Sequence, residues 1–342
     1  MSVTLKQLAA SLGLSPTTVS RALNGFPEVN AETRKRVQDA AERAQYRPNT
    51  RAKSLATGRS MAIAHVIPVS TSHEIVNPVF ADFIAGAGES YSRAGYEMLL
   101  RVTSDAEEAQ TYRDLIARGA VDGFMVQAPK ISDPRVDLLS EMGVPFVIHG
   151  RTSDIARPYS WLDINNQRSF RRATRFLIDL GHRRIALING LEHLDFAARR
   201  RRGYLEGLES AGIGPDPDLM RQAEMTEPYG YRSLTEMMRL RSPPTAFLSS
   251  SMIVAYGLRR GLTDLGLRMG RDVSVITHDD DLSYLPNDGD VPVFTATRSS
   301  VREAGRRAAQ MLLQLVKDPQ CGPLTELMET ALTVGASTGP AP

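Results

Sequence analysis

Apolar residues recur at helical spacing through the first 45 positions, and the period changes near residue 61. Leu5, Leu8 and Ala9 fall at i, i+3 and i+4 behind Thr4, a good N-cap, and Leu12-Gly13-Leu14-Ser15 ends that segment. Ser15-Pro16 opens a second helix with a capping hydroxyl and a proline at the first helical position, where its missing N–H costs nothing. Val19 and Leu23 are expected to pack inward, while Thr17, Ser20, Arg21 and Asn24 lie along a polar, basic face. Asn30 caps a third helix from Ala31 to about Ala44, and Tyr46-Arg47-Pro48-Asn49 breaks its period. Two helices about one glycine-containing turn, closed by a third, make a helix-turn-helix candidate. Residues 50–58 hold helix formers but few apolar contacts, so a helix there is marginal alone.

From Met61 onward, short apolar runs alternate with amphipathic stretches of ten to fifteen residues, the signature of βαβ units and parallel sheets. The predicted strands are Ala62-Pro68, Tyr96-Val102, Gly123-Gln127, Phe146-His149, Arg184-Ile188, Ala246-Ser249 and Val273-Thr277. The predicted helices are 80–94, 106–118, 166–180, 198–211, 252–265 and 299–316. The fold class is therefore α/β, with a small helical head before a body long enough for two doubly wound sheets.

Charge sharpens this division. Residues 1–60 carry ten Lys/Arg against four Asp/Glu, while the rest of the chain is slightly acidic. A basic head with Thr17, Ser20 and Arg21 on one helix face suits a DNA major groove, where an arginine binds guanine O6 and N7 together. Cys321 is the only cysteine, so no intrachain disulfide forms, and the six histidines show no metal-ligand spacing. No metal or other cofactor is expected. The start lacks a charged n-region followed by an apolar run, and no long uncharged stretch occurs, so the cytoplasm is the expected compartment and no membrane partner is expected.

The order and spacing of Thr4-Leu5-Lys6-Gln7-Leu8-Ala9, Gly13-Leu14-Ser15-Pro16-Thr17-Thr18-Val19-Ser20-Arg21-Ala22-Leu23-Asn24-Gly25, Tyr46-Arg47-Pro48-Asn49 and Leu55-Ala56-Thr57-Gly58 resemble the LacI family of repressors. The resemblance implies that Pro16, Thr17 and Arg21 read bases and that Ser15, Thr18, Ser20 and Asn24 support backbone contacts. It makes Asn49 to Ala56 a hinge helix that orders on DNA, with Leu55 as the wedge that opens the minor groove. Thr4 and Ala52 complete the DNA-facing set. The implied partners are double-stranded, pseudo-palindromic operator DNA, a second copy of the chain in a homodimer, and a small effector, expected to be a sugar. The expected ranges are 1–48 for the head and 49–60 for the hinge. The N-terminal sensor subdomain spans 61–160 plus about 291–320, and the C-terminal one 161–290 plus about 321–338, like periplasmic sugar-binding proteins.

Ligands of open α/β sheets bind beyond the carboxyl ends of strands. By the resemblance, Asp279 and Arg200 are the sugar-binding carboxylate and arginine. Phe80 is placed to stack on a sugar face, and His149, Arg151 and Trp161 to face the cleft. Relatives commonly carry Asn-Asp after the strand at Ala246-Ser249, but this chain has Ser250-Ser251-Met252, leaving Ser251 to bond a hydroxyl. Ser-Pro-Thr-Thr in the recognition helix, His149-Gly150-Arg151 and Ser250-Ser251-Met252-Ile253 resemble the α-glucoside regulators of the family. The alternative is a sugar-metabolising or nucleotide-cofactor enzyme on a doubly wound fold. Gly86-Ala87-Gly88 lacks the third glycine of a dinucleotide loop and lies inside a helical stretch, and neither a Walker lysine motif nor a GxSxG elbow occurs, so no catalytic residue is expected.

Overall fold

The computed structural model describes residues 3–23, 25–46, 59–68 and 77–342, which fall into two compact units, 1–61 and 62–342. In the first, helices Leu5–Leu12, Pro16–Leu23 and Ala31–Arg43 enclose a small core of Leu8, Ala9, Val19, Ala22, Val37, Ala40 and Ala41. Leu23 packs against its edge, and Arg36 ties the bundle by donating to the Leu12 carbonyl at 2.7 Å.

The second unit holds two six-stranded sheets. In chain order the first contributes β1 (Ala62–Pro68), β2 (Glu97–Thr103), β3 (Gly123–Gln127), β4 (Phe146–His149) and β5 (Trp161–Ile164). Then come β6 (Ile185–Asn189), β7 (Met220–Gln222), β8 (Ala246–Ser249), β9 (Ser274–Asp279) and β10 (Thr295–Arg298), followed by β11 (Thr325–Met328) and β12 (Ala331–Thr333). The orders are β11-β5-β4-β3-β1-β2 and β12-β10-β9-β8-β6-β7, parallel throughout except for β12 on β10. Strands β3, β6 and β8 are buried almost end to end, which is why they read as unbroken apolar runs.

The expected subdomain ranges need correction. Trp161–Ile164 and Thr325–Met328 belong to the first sheet, whereas Thr295–Arg298 belongs to the second. The chain leaves the first lobe after β5, returns through helix Val301–Lys317, whose Leu312, Leu315 and Val316 fill the first core, and ends on the second sheet. Short polar strands such as Thr-Ala-Thr-Arg carry no apolar run to reveal them. Thr295 is fixed instead by polar bonds to Ser337, Thr338 and Gly335.

Gly86-Ala87-Gly88 has a packing role. Helices Pro78–Arg93 and Val301–Lys317 cross so closely that a Cβ on Gly86 would lie 1.9 Å from the Arg302 carbonyl oxygen, and one on Gly305 2.2 Å from that of Phe83. Gly86→Ala must push the helices apart and is expected to lower stability by about 1–3 kcal/mol, read as a lower urea midpoint. Gly88→Ala meets only the end of Met98 at 3.2 Å and is the near-neutral control.

Candidate functional site

The head presents one exposed face. Helix Pro16–Leu23 turns Val19 and Ala22 inward and leaves Pro16, Thr17 and Arg21 exposed; Thr17 and Arg21, four apart, share a side. The Ser15 hydroxyl accepts from the Thr18 amide at 3.0 Å and lies 2.8 Å from the Thr18 hydroxyl, so both are engaged at the helix start. Thr4 and Gln7 form a reciprocal capping box on Leu5–Leu12, and Ser20 is half-buried. Arg21, a fork of donors on a helix surface, has the chemistry to read a guanine edge. Asn24, Asn49, Ala52 and Leu55, with most of the expected hinge, lie outside the described residues.

In the body, a cavity of about 780 Å³ lies between the two lobes, in the upper part of the roughly 300–1,000 Å³ usual for small-molecule sites. The first lobe lines it with residues at or just beyond the carboxyl ends of its strands, among them Ile67, Gln127, His149 and Asp163. The second lobe contributes Asn166, Phe196, Arg200 and Asp280, and helix Pro78–Arg93 brings Phe80 and Phe83. Among the expected ligand contacts, the structure sets Phe80, His149 and Arg200 on the wall.

Arg200 is buried in the second lobe. Its Nε donates to Asn166 Oδ1 at 2.7 Å and one terminal nitrogen to the Ser250 carbonyl at 2.5 Å, while its guanidinium lies over Phe196 and Phe170. Burial pulls its pKa down to about 10 against the opposing pull of Asp280 and Asp163, so the group stays cationic at neutral pH. Burial works to raise the Asp280 carboxyl, but His278, whose Nε2 lies 3.2 Å from it, and Arg200 outweigh it and hold the group below the usual carboxylate range. His149 stacks on Phe83 with ring centroids 4.3 Å apart. An ionised carboxylate beside a fixed arginine and aromatic rings suits a polyhydroxylated ring, with hydroxyl hydrogens going to Asp280 and a C–H face to the aromatics.

Four expected contacts are displaced. Asp279 closes β9, and its Oδ1 accepts from the Asp281 amide at 2.8 Å in a turn where Asp281 takes φ 56°. Its other oxygen is buried 3.8 Å from Arg298 Nε, so the carboxylate reaching the cavity is Asp280. Ser251 caps helix Met252–Asp264 by accepting from the Ile253 amide at 3.1 Å, and Met252 is buried in the second core. Arg151 pairs with Asp163 at 2.8 Å and lies 4.9 Å over the Trp161 ring, so these two residues satisfy each other behind the wall.

The structure adds residues that sequence reasoning missed. Asn166 begins a helix and Gln127 and Asp163 lie near strand ends, so a stricter use of the strand-end rule would have found them. Buried Arg135 pairs with Asp133 at 2.6 Å and Glu108 at 3.2 Å and also donates to the Gln127 and Ala128 carbonyls. That network joins separate helices and leaves no local sequence trace.

The lobes also meet around the cavity. Along one rim, the Ile131 amide donates to the His193 carbonyl at 3.1 Å, the Asp195 amide to the Pro129 carbonyl at 3.0 Å and the Ser153 hydroxyl to Asp195 at 2.5 Å. Elsewhere Asp82, on helix Pro78–Arg93, accepts from the Ser283 amide at 2.9 Å and hydroxyl at 2.8 Å and pairs with Arg302 at 2.9 Å. The clasp fixes the loop that begins with Asp280 to the helix that carries Phe80 and Phe83.

A buried histidine, His65, and a half-buried one, His149, give the body an acid-sensitive stability. Burial lowers His65 to about 3 and His149 to about 4, so both are neutral when folded. An unfolded histidine titrates near 6.5. The stability is therefore complete above about pH 6.5 and is lost as pH falls towards the folded values, because the unfolded chain alone takes up these protons. His65 is only 1% exposed and is expected to account for up to about 1.4 kcal/mol per pH unit across this window. Urea midpoints at pH 7.5 and 5 should show the drop, and His65→Gln should reduce it.

A family model for "Bacterial regulatory proteins, lacI family" matches residues 4–49, and one for a periplasmic binding protein-like domain matches residues 174–338. The HTH-type transcriptional regulator AglR of Rhizobium meliloti (strain 1021) is 44% identical, over 100% of this chain and 96% of its own. The solved complex of the regulator CelR with cellobiose is similar at a TM-score of 0.72 and 29% identity, covering 98% of this chain and 99% of that one. The lac repressor dimer bound to operator and an anti-inducer matches at a TM-score of 0.82 and 25% identity, over 99% of this chain and 100% of that one. Among the described residues, no helix is long and apolar enough to cross a membrane.

Proposed function

The chain belongs to the LacI family of bacterial regulators of transcription, which are not enzymes, and on that premise we propose that it is a repressor whose operator affinity is set by a sugar bound between its two sensor lobes. It acts in the cytoplasm as a homodimer. Two heads read a pseudo-palindromic site, with Pro16, Thr17 and Arg21 towards the bases and Leu55 as the wedge between hinge helices. The head ends at about 48 and the hinge at about 60. The effector is an α-glucoside, the class favoured by the sequence resemblance.

The observation that carries this reading is an interlobe cavity whose wall carries both the buried, cationic Arg200 and the ionised Asp280. A ligand that bonds both lobes changes their relative stability in the open and closed arrangements. It can shift the DNA-binding equilibrium only by its difference in affinity for the two. The test is selection of duplexes by the full-length protein from a random pool, followed by titration of the bound duplex with maltose, sucrose and trehalose at fixed salt. A symmetric selected site whose occupancy changes with at least one sugar supports the reading. Unselective binding, or occupancy indifferent to all three, overturns it.

A further inference from the structure

Among the described residues of the head, Phe26 is the one large apolar side chain left exposed. It is 46% accessible and stands apart from the core around Leu8, Val19 and Val37. A single exposed apolar residue is ordinary, but this one is fixed at the end of the helix that bears Arg21. The Phe26 amide donates to the Arg21 carbonyl at 3.1 Å and the Gly25 amide to the Ala22 carbonyl at 3.2 Å, with Gly25 at φ 73°. This paired closure of helix Pro16–Leu23 is a Schellman motif, in which an apolar residue after the glycine usually packs towards the residue whose carbonyl its amide reaches. Here that residue is Arg21, itself exposed, so the motif sets Phe26 beside the polar, basic face and gives it no cover.

The turn that follows is held as firmly. The Val29 amide donates to the Phe26 carbonyl at 3.2 Å, and Arg34 donates to the Phe26 and Val29 carbonyls at 2.9 and 3.2 Å. Buried Val29 ties the far side of the turn to the core, and Pro27 restricts the backbone between them. The ring is thus presented outward by backbone bonds on both sides of it. A group positioned before its partner arrives loses little freedom on binding.

We infer that Phe26 is a further specificity-determining residue of the head, and that its ring meets the C5 methyl of a thymine beside the guanine bound by Arg21. This rests on the repressor reading above. Thymine is the one base that shows a methyl group in the major groove, and phenylalanine is among the side chains that contact it. The backbone link to Arg21 makes the ring continuous with the base-facing residues of the helix. A phosphate partner is disfavoured, because a phenyl ring offers no donor and Glu28, two residues on, is exposed and acidic. In a homodimer the contact occurs twice, at symmetric positions.

The test replaces the thymines of the selected duplex by uracil, one symmetric pair at a time. Gel shifts at one salt concentration then compare full-length wild type with Phe26→Ala. Removing one buried methyl changes affinity by about 4-fold, so the wild type is expected to lose about 15-fold at one symmetric pair. That pair adjoins the guanine whose selection Arg21→Ala relaxes. Phe26→Ala is expected to bind the thymine duplex at least about 15-fold more weakly and to lose less than about twofold on the same change to uracil. A uracil effect that survives undiminished in Phe26→Ala, or a wild type indifferent to every uracil, overturns the inference and leaves the repressor reading intact. A protein that selects no symmetric site overturns both. Should Phe26→Ala fail to fold, Phe26→Gln, which keeps a long side chain without an apolar end, is read in the same way.

Discussion

Replacement of Arg21 by alanine is expected to weaken binding to the selected duplex by about 5- to 150-fold, the range for one bidentate arginine–guanine contact, and to relax preference at one symmetric pair of positions. The residue stands exposed on the helix whose Val19 and Ala22 are buried, so the loss falls on recognition and leaves the head's stability unchanged. Gel-shift titrations against the selected site and single-base variants, all at one salt concentration, provide the measurement. Equal weakening across every variant would make Arg21 a phosphate contact instead.

The second large effect separates two adjacent carboxylates. Asp280→Ala is expected to lower affinity for the best-binding disaccharide by about 100-fold, because charged hydrogen bonds contribute about 1.5–3 kcal/mol each and Asp280 is the ionised carboxylate on the cavity wall. Asp279→Ala is expected to leave sugar affinity within about threefold, at some cost in stability, since its carboxylate serves the turn at Asp281 and lies beside Arg298. Calorimetry on both variants, with melting curves alongside, reads the difference. A larger loss for Asp279→Ala would return the sugar-binding role to that residue.

These neighbours show where sequence reading stops. Strands β1, β3, β4 and β8 coincide with the apolar runs Ala62–Pro68, Gly123–Gln127, Phe146–His149 and Ala246–Ser249, because parallel strands covered on both faces must be apolar throughout. The caps at Thr4 and Asn30 are equally legible, since each is a local bond to an amide three residues on. Trp161–Ile164 escaped because its core positions alternate with Asp163, a charge buried for the cavity. Helices Pro134–Glu141 and Glu227–Met237 escaped because their apolar stripes are short.

The site follows the same division. Position relative to a strand end was visible in the sequence and led to His149, while the family resemblance led to Asp279, the neighbour of Asp280. Which of two consecutive aspartates faces the cavity depended on one side-chain-to-amide bond and one left-handed residue. Ser251 and Arg151 were drawn away by a cap and by an ion pair stacked on Trp161, competing local bonds for the same polar atoms. Arg135 with Glu108 and Asp82 with Ser283 join segments distant in sequence, so only the folded chain reveals them.

The central claim is that one molecule couples a sugar between its lobes to DNA at its head, and such coupling is reciprocal. The most direct measurement is the affinity of the full-length protein for its best disaccharide, taken free and saturated with its selected duplex, beside duplex affinity with and without that sugar. The account predicts that both affinities change by one and the same factor, within about 5- to 150-fold. A sugar that binds the free and the DNA-saturated protein equally would contradict it.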